Sequence, residues 1–193
     1  MEKNKLLTND QIAHLAEENG YDYRVLKSII QVESSQRGFD LDTGKIIIRF
    51  EPAWFMREYK DWVTETTHVT WKNNKAGNQY AEWQAFNSAF ALNADAAMKS
   101  TSIGMMQLMG FHYAEIGFKT VGELWDFAKE SEYNQVLLAI KWIKTVRPLD
   151  IAIKNKEWQK IAYYYNGENY RAHHYDNKLF TAYSCTANYT KAV

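Results

Sequence analysis

Apolar residues recur every three or four positions along most of the chain, with polar and charged residues between them. This spacing places apolar side chains on one face of a helix and therefore predicts a largely helical protein. Ser, Thr, Asp or Asn precedes several of these runs, as expected for residues that cap helix N-termini. Four helices are predicted to begin near Thr8, Asp22, Pro52 and Thr120. Six more are predicted over residues 79–92, 93–98, 102–110, 131–146, 157–165 and 175–187.

One stretch departs from the helical pattern. Residues 46–50, Ile-Ile-Ile-Arg-Phe, are rich in β-branched side chains and follow a turn-rich segment, so residues 39–51 are predicted to form a small β-hairpin. Residues 64–78 are mostly polar and are predicted to form a loop. No linker long enough to separate two domains interrupts the chain. Residues 1–193 are therefore predicted to form a single domain of mainly α (α+β) class.

The second predicted helix carries a carboxylate in an apolar setting. Leu26, Ile29 and Ile30 share one face of this helix, and Glu33 projects into the same stripe. Burial disfavours the charged form of a carboxyl group, so the pKa of a Glu among aliphatic side chains rises. A carboxyl group that stays protonated can act as a general acid. The alternative is that Glu33 lies at the helix end and simply faces solvent.

Composition narrows the possible functions. Basic and acidic side chains are equal in number, 23 of each, so no net field attracts the protein to nucleic acid. Cys185 is the only cysteine, which excludes an internal disulfide and a cysteine metal cluster. The first eight residues contain no apolar run typical of a signal peptide, and no segment reaches membrane-spanning length. We therefore expect synthesis in the cytoplasm, with no integral membrane segment.

Two further segments carry side chains suited to sugars. Residues 102–107, Ser-Ile-Gly-Met-Met-Gln, combine a glycine that allows close approach with an amide that can both donate and accept. Residues 162–167, Ala-Tyr-Tyr-Tyr-Asn-Gly, place aromatic rings beside the amide of Asn166. Aromatic faces stack on sugar rings, and amides bind hydroxyl and acetamido groups. The 15% aromatic content is compatible with such a groove as well as with a core.

Together these segments resemble a known signature. Glu33-Ser34, then Ser-x-Gly-x-x-Gln at residues 102–107, then Tyr165-Asn166-Gly167 are similar to lysozyme-like muramidases and lytic transglycosylases. Further matches resemble the N-acetylmuramidase family found in phage endolysins, over about residues 22–183. These matches are Gly38-Phe39, Ile48-Arg49-Phe50-Glu51, Gly110-Phe111 and Tyr170.

The resemblance implies a lysozyme-like helical domain that cleaves the bond between N-acetylmuramic acid and N-acetylglucosamine in bacterial peptidoglycan. It implies Glu33 as the acid that protonates the glycosidic oxygen. Hydrolysis usually needs a second carboxylate. The first candidate on the hairpin is Glu51, and the next are Asp42 and Asp40. An ion pair with Arg49 is the alternative role for Glu51.

Substrate binding is predicted for side chains on the other two segments. Neighbouring residues of a helix diverge by about 100°, so Tyr164 and Tyr165 cannot both face one groove. Tyr165 is preferred because it precedes Asn166. The predicted substrate-binding residues are Ser102, Gln107, Tyr164, Tyr165 and Asn166.

Two other functions fit the same residues. A lytic transglycosylase would release 1,6-anhydro products, and a non-catalytic protein of the same fold would bind peptidoglycan without cleaving it. Hydrolysis is preferred because the hairpin supplies carboxylates close in sequence to Glu33. We expect a monomer, without metal or other cofactor, that acts on glycan strands of the cell wall. It would reach the wall through a phage holin-type lesion or a contact-dependent secretion machine.

Overall fold

The computed structural model describes residues 5–33, 37–64, 70–73 and 78–190. Helices dominate this part of the chain, which confirms the mainly α prediction. The α-helices are α1 (Asn9–Asn19), α2 (Tyr23–Glu33), α3 (Pro52–Glu58), α4 (Gln79–Leu92), α5 (Ala94–Lys99), α6 (Val121–Glu130), α7 (Glu132–Thr145), α8 (Arg147–Asn155), α9 (Trp158–Asn166) and α10 (Tyr175–Cys185). The strands are β1 (Ile48–Phe50), β2 (Thr101–Ile103) and β3 (Leu108–Met109).

Helix ends follow the capping residues closely. Thr8 and Thr120 each form a full capping box with the residue three positions later, and Ser131 accepts a backbone hydrogen bond at the start of α7. Helix α8 was not predicted, because Pro148 was expected to end the preceding helix. Proline instead lies in the first turn of α8, where its missing N–H leaves no helical hydrogen bond unmade.

The sheet differs from the predicted hairpin. Phe39 and Ile46 form an isolated bridge, so the chain does fold back on itself there. Strand β1, however, pairs antiparallel with β2, with Ile48 opposite Ile103. Strand β2 in turn pairs with β3, and residues 102–110, predicted as a helix, form this second hairpin and the short turn that follows. The prediction for residues 102–110 was wrong because β1 and β2 are about fifty residues apart, beyond the reach of a local pattern.

The predicted loop at residues 64–78 lies largely outside the described residues. Within it, Thr70–Asn73 form a 3₁₀ turn, and Trp71 is completely buried. Its ring contacts Phe55 of α3, with ring centroids 4.9 Å apart. This part of the segment therefore belongs to the core rather than to a polar loop.

Two hydrophobic cores meet at α7. One core lies among α1, α2 and α7–α10, and the other lies beneath the sheet and α3–α6. Ile140 of α7 belongs to the first core and Leu138 to the second, while Trp142 packs against both. Among the described residues, no helix combines the length and the apolar character needed to cross a membrane. The fold is thus two lobes that share one central helix.

Buried side chains of α7 connect distant segments. Glu132 is 3% exposed, and its two carboxylate oxygens accept the backbone N–H groups of Leu7 at 2.8 Å and Gly38 at 2.7 Å. Gln135 accepts the N–H of Met105 at 2.6 Å and donates to the carbonyl of Ala128. These bonds fix the segment after α2 and the β2–β3 turn relative to each other. They therefore position both sides of the cleft that lies between α2 and the sheet.

Candidate active site

Glu33 is the last residue of α2 and faces the sheet of the other lobe across a cleft. The cleft has a volume of about 360 Å³. Its floor and walls come from the end of α2, from β1, from the start of α4 and from the β2–β3 turn. The lining residues are Glu33, Ile47, Ile48, Arg49, Asn78, Gln79, Glu82, Gly104, Met105 and Gln107.

The environment of Glu33 favours its protonated form. Burial raises the pKa of the Glu33 carboxyl above its usual value. Two weaker effects lower it: the amide of Asn166 donates a hydrogen bond to Oε1 at 3.0 Å, and the charge of Lys178 favours the carboxylate. The net direction is upward, as the apolar stripe of α2 predicts. Glu33 can therefore carry a proton at a higher pH than an exposed Glu.

The end of α9 forms one side of this environment. Asn166 is the last residue of α9, and the preceding Tyr165 is half-buried with its ring edge-on to Trp142, centroids 5.6 Å apart. Burial, reinforced by the charge of Glu33, raises the pKa of Tyr165. Tyr164 is exposed and contacts only Tyr163 among the ring pairs described. The two tyrosines thus point in different directions, with Tyr165 on the side of Glu33.

Gln107 lines the cleft from a turn instead of from a helix. Its backbone has a φ of 49°, in the left-handed region. The side-chain oxygen accepts a hydrogen bond from the Ser102 hydroxyl at 3.0 Å, and the side-chain nitrogen donates to the carbonyl of Gly104 at 2.8 Å. Among the described residues, one N–H and one lone pair of the Gln107 amide have no partner and are available to a ligand. Ser102 is only 5% exposed, so in this structure it orients Gln107.

Gly104 is required by the shape of the same turn. Its φ is 71°, and a Cβ atom at this position would lie 2.6 Å from the side chain of Gln135. Any larger residue would therefore displace Gln135 and break its bond to Met105. The sequence predicted that Gly104 allows another group to approach the backbone closely, and in the structure that group is the side chain of Gln135.

Glu51 directly follows β1. Its role as the second carboxylate remains a prediction. Its Oε1 is 3.0 Å from Nε of Arg49, which lines the cleft. The alternative role considered for Glu51, this ion pair, is thus present. Asp40 and Asp42 lie on the turn beyond the cleft, where Asp40 accepts hydrogen bonds from Thr43.

Sequence reasoning missed Glu82, a second acidic residue in the cleft lining. It is 4% exposed, and its Oε2 accepts the backbone N–H of Phe50 at 2.9 Å. The amide of Gln79 pairs with both the N–H and the carbonyl of Ile48, so α4 completes the free edge of β1. Glu82 shares the buried face of α4 with Ala85 and Ala89, the same kind of signal that identified Glu33.

Two points concern Ser34 and metal binding. Ser34, the partner of Glu33 in the sequence motif, lies outside the described residues. Within the described ranges, no group of three or more His, Cys, Asp or Glu side chains is arranged to hold a metal ion.

Comparison with known proteins identifies the family. A family model described as N-acetylmuramidase matches residues 22–187. A structure described as the crystal structure of Burkholderia AP3 phage endolysin superposes with a TM-score of 0.84 and 26% identity, over 95% of this chain and 72% of that chain. No individual curated protein sequence matches the chain. Since the family match covers most of its length, the chain belongs to the N-acetylmuramidase family and is a peptidoglycan hydrolase with a lysozyme-like fold.

Proposed function

We propose that this protein hydrolyses the glycosidic bond between N-acetylmuramic acid and N-acetylglucosamine, with Glu33 as the general acid. The observation that carries the proposal is the position of Glu33. It ends a helix in an open cleft, and burial raises the pKa of its carboxyl group. The cleft is lined by the amides of Asn78, Gln79 and Gln107, and the amide of Asn166 contacts Glu33 itself; amides are groups that bind sugars.

The chemistry follows from these contacts. Protonated Glu33 donates its proton to the glycosidic oxygen as the bond to the anomeric carbon breaks, so the leaving sugar departs as a neutral alcohol. The resulting carboxylate accepts the hydrogen bond from Asn166, which stabilises its charge. Attack of water on the anomeric carbon then supplies a new hydroxyl group, and the proton released by that water balances the reaction.

A second carboxylate would activate this water or stabilise the positive charge on the sugar. We retain Glu51 as the candidate, since it directly follows β1 and its partner Arg49, on β1, lines the cleft. Gln107 would position the substrate through the free N–H and lone pair of its amide, and Ser102 would support Gln107. Tyr165 and Asn166 would contact the sugar beside Glu33, with Tyr164 a more distant contact.

The action of the protein on cell-wall glycan would require no cofactor in this scheme, because each step is a proton transfer or an attack by water. We propose that it acts as a monomer, since the groups assigned to the cleft all come from one chain.

Glu33→Gln tests the proposal directly. The amide keeps the shape of the side chain and can still accept a hydrogen bond from Asn166, but it cannot donate the proton. We expect the lytic rate on purified peptidoglycan to fall by about 10²–10⁴-fold. Because burial penalises the Glu33 carboxylate at neutral pH, the thermal midpoint should stay the same or rise.

Glu18→Gln, an exposed change on α1, is the matched control and should leave lysis unchanged. Lysis by Glu33→Gln within a few-fold of the parent rate would reject Glu33 as the acid. Binding of the parent protein to peptidoglycan with no release of fragments would favour the non-catalytic alternative.

A further inference from the structure

A second cavity adjoins the cleft of Glu33. It has a volume of about 280 Å³ and lies between the turn at residues 40–45 and the first two turns of α4. Asn78 and Gln79 line both cavities, so the second cavity lies directly beside the cleft. The remaining lining residues are Asp40, Asp42, Thr43, Lys45, Tyr80 and Trp83.

The α4 wall of this cavity presents aromatic rings. Tyr80 is 73% exposed, and its hydroxyl accepts a hydrogen bond at 2.9 Å from the amide of Gln84, one turn further along α4. Trp83 is half-buried against Phe86, with Nζ of Lys45 lying 5.1 Å from the centroid of its ring. An exposed ring that is already oriented loses little entropy when a flat apolar surface stacks on it.

The opposite wall is polar and preformed. Asp40 accepts hydrogen bonds from both the N–H and the hydroxyl of Thr43, each at 2.8 Å, and its own N–H donates to the carbonyl of Lys45. The turn therefore holds Asp42, an acceptor, and Lys45, a donor, on the rim of the cavity. Hydroxyl groups need partners of both kinds.

This combination selects for a sugar. An aromatic face with both a hydrogen-bond donor and acceptors matches the apolar face and polar edge of a pyranose ring. A nucleic-acid strand would meet two carboxylates and one lysine, which is a poor match for phosphates. Because the second cavity shares Asn78 and Gln79 with the Glu33 cleft, the sugar would belong to the same strand as the bond that is cleaved.

We propose that this second cavity, which we call the basin and which lies between residues 40–45 and Tyr80, binds a sugar of the glycan strand remote from the scissile bond. The inference rests on the proposed function and adds to it a dependence on strand length. Binding energy gained far from the reacting atoms raises kcat/KM only for substrates long enough to reach the basin.

The test compares Tyr80→Ala with the parent on long glycan strands and on a purified muramyl tetrasaccharide. We expect kcat/KM on long strands to fall roughly tenfold, the loss of one stacking contact, while cleavage of the tetrasaccharide is unchanged. Phe90→Ala, at the other end of α4, removes another exposed ring, one that lines neither cavity, and should change neither rate.

Equal losses on both substrates, or no loss on either, would overturn the proposal. Titration of long strands into Glu33→Gln and into Glu33→Gln/Tyr80→Ala, followed by tryptophan fluorescence, gives a readout that does not need cleavage. A weaker affinity of the double variant supports the basin even if the parent cleaves nothing, in which case only the proposed function has failed. The same affinity for both variants rejects the basin.

Discussion

At the scale of single residues, the balance of forces on Glu33 sets a pH dependence. Lys178 is exposed on α10, lies over the ring of Tyr175 and favours the ionised form of Glu33. The protonated form is the one that donates, so activity should decline as pH rises through the pKa of Glu33. Lys178→Gln removes a charge that lowers this pKa and should move the alkaline limb of kcat/KM to higher pH.

The shift should be small, because Lys178 is exposed, and should shrink at high ionic strength, where exposed charges are screened. Profiles measured at low and high salt check this point. A limb that moves to lower pH would show that Lys178 does not act on Glu33 through its charge. Lys160→Gln, an exposed lysine paired with Glu157, is the matched control.

The role of Glu51 can be tested by comparing the activities of the Glu51→Gln and Glu82→Gln variants. If Glu51 is the second carboxylate, Glu51→Gln should lower kcat by about 10²–10⁴-fold with a small change in KM. If it serves only its exposed ion pair with Arg49, the change should be slight, since such pairs contribute about 0–1 kcal/mol to stability. Glu82→Gln keeps an oxygen for the N–H of Phe50 and should fold.

A large loss of kcat in Glu82→Gln, with none in Glu51→Gln, would assign the role of second carboxylate to Glu82, which lines the cleft. Steady-state kinetics on soluble glycan strands separate these outcomes. Near-parental activity in both variants would direct the search to Asp42, the exposed carboxylate of the neighbouring turn.

At the scale of elements, the β2–β3 turn links fold and site. Gly104→Ala should destabilise the protein by about 1–3 kcal/mol, because alanine at a φ of 71° is strained and its Cβ would collide with Gln135. Chemical denaturation measures this loss. Gly117→Ala is the control: Gly117 also has a positive φ, but nothing lies within 4 Å of its added Cβ, so it should cost less.

The elements also show what the sequence alone could predict. Capping boxes located the starts of α1 and α6 to within a residue or two, since a cap and its partner are three positions apart, and apolar spacing located α4 and α7. The apolar stripe of α2 predicted the raised pKa of Glu33 for the same local reason. The pairing of β1 with β2 depends on contacts between distant segments, so Ser102 and Gly110 were mistaken for the start and end of a helix.

At the scale of the whole molecule, the site lies where the two lobes meet. Glu33 and Asn166 belong to the lobe of α1, α2 and α7–α10, while Arg49, Gln79 and Gln107 belong to the sheet side. The buried bonds of Glu132 and Gln135 hold the two sides together through α7. Glu33 and the surface it faces are therefore held in place by a helix that carries neither of them.

The arrangement of the cleft bears on which oxygen attacks the sugar. A transglycosylase excludes water and uses the 6-hydroxyl group of muramic acid, so it needs only one carboxylate. A hydrolase must admit and activate water, usually with a second acid. Here the cleft is open to solvent, Glu82 lines it together with Glu33, and Glu51 is paired with Arg49 of the same lining. We expect mass spectrometry of the released fragments to show reducing-end muramic acid, because water supplies the new hydroxyl group. Reduction with borohydride before the measurement marks such ends, whereas 1,6-anhydro ends do not react. A dominant product lighter by one water and resistant to reduction would replace hydrolysis with transglycosylation and leave Glu33 as the acid in both reactions.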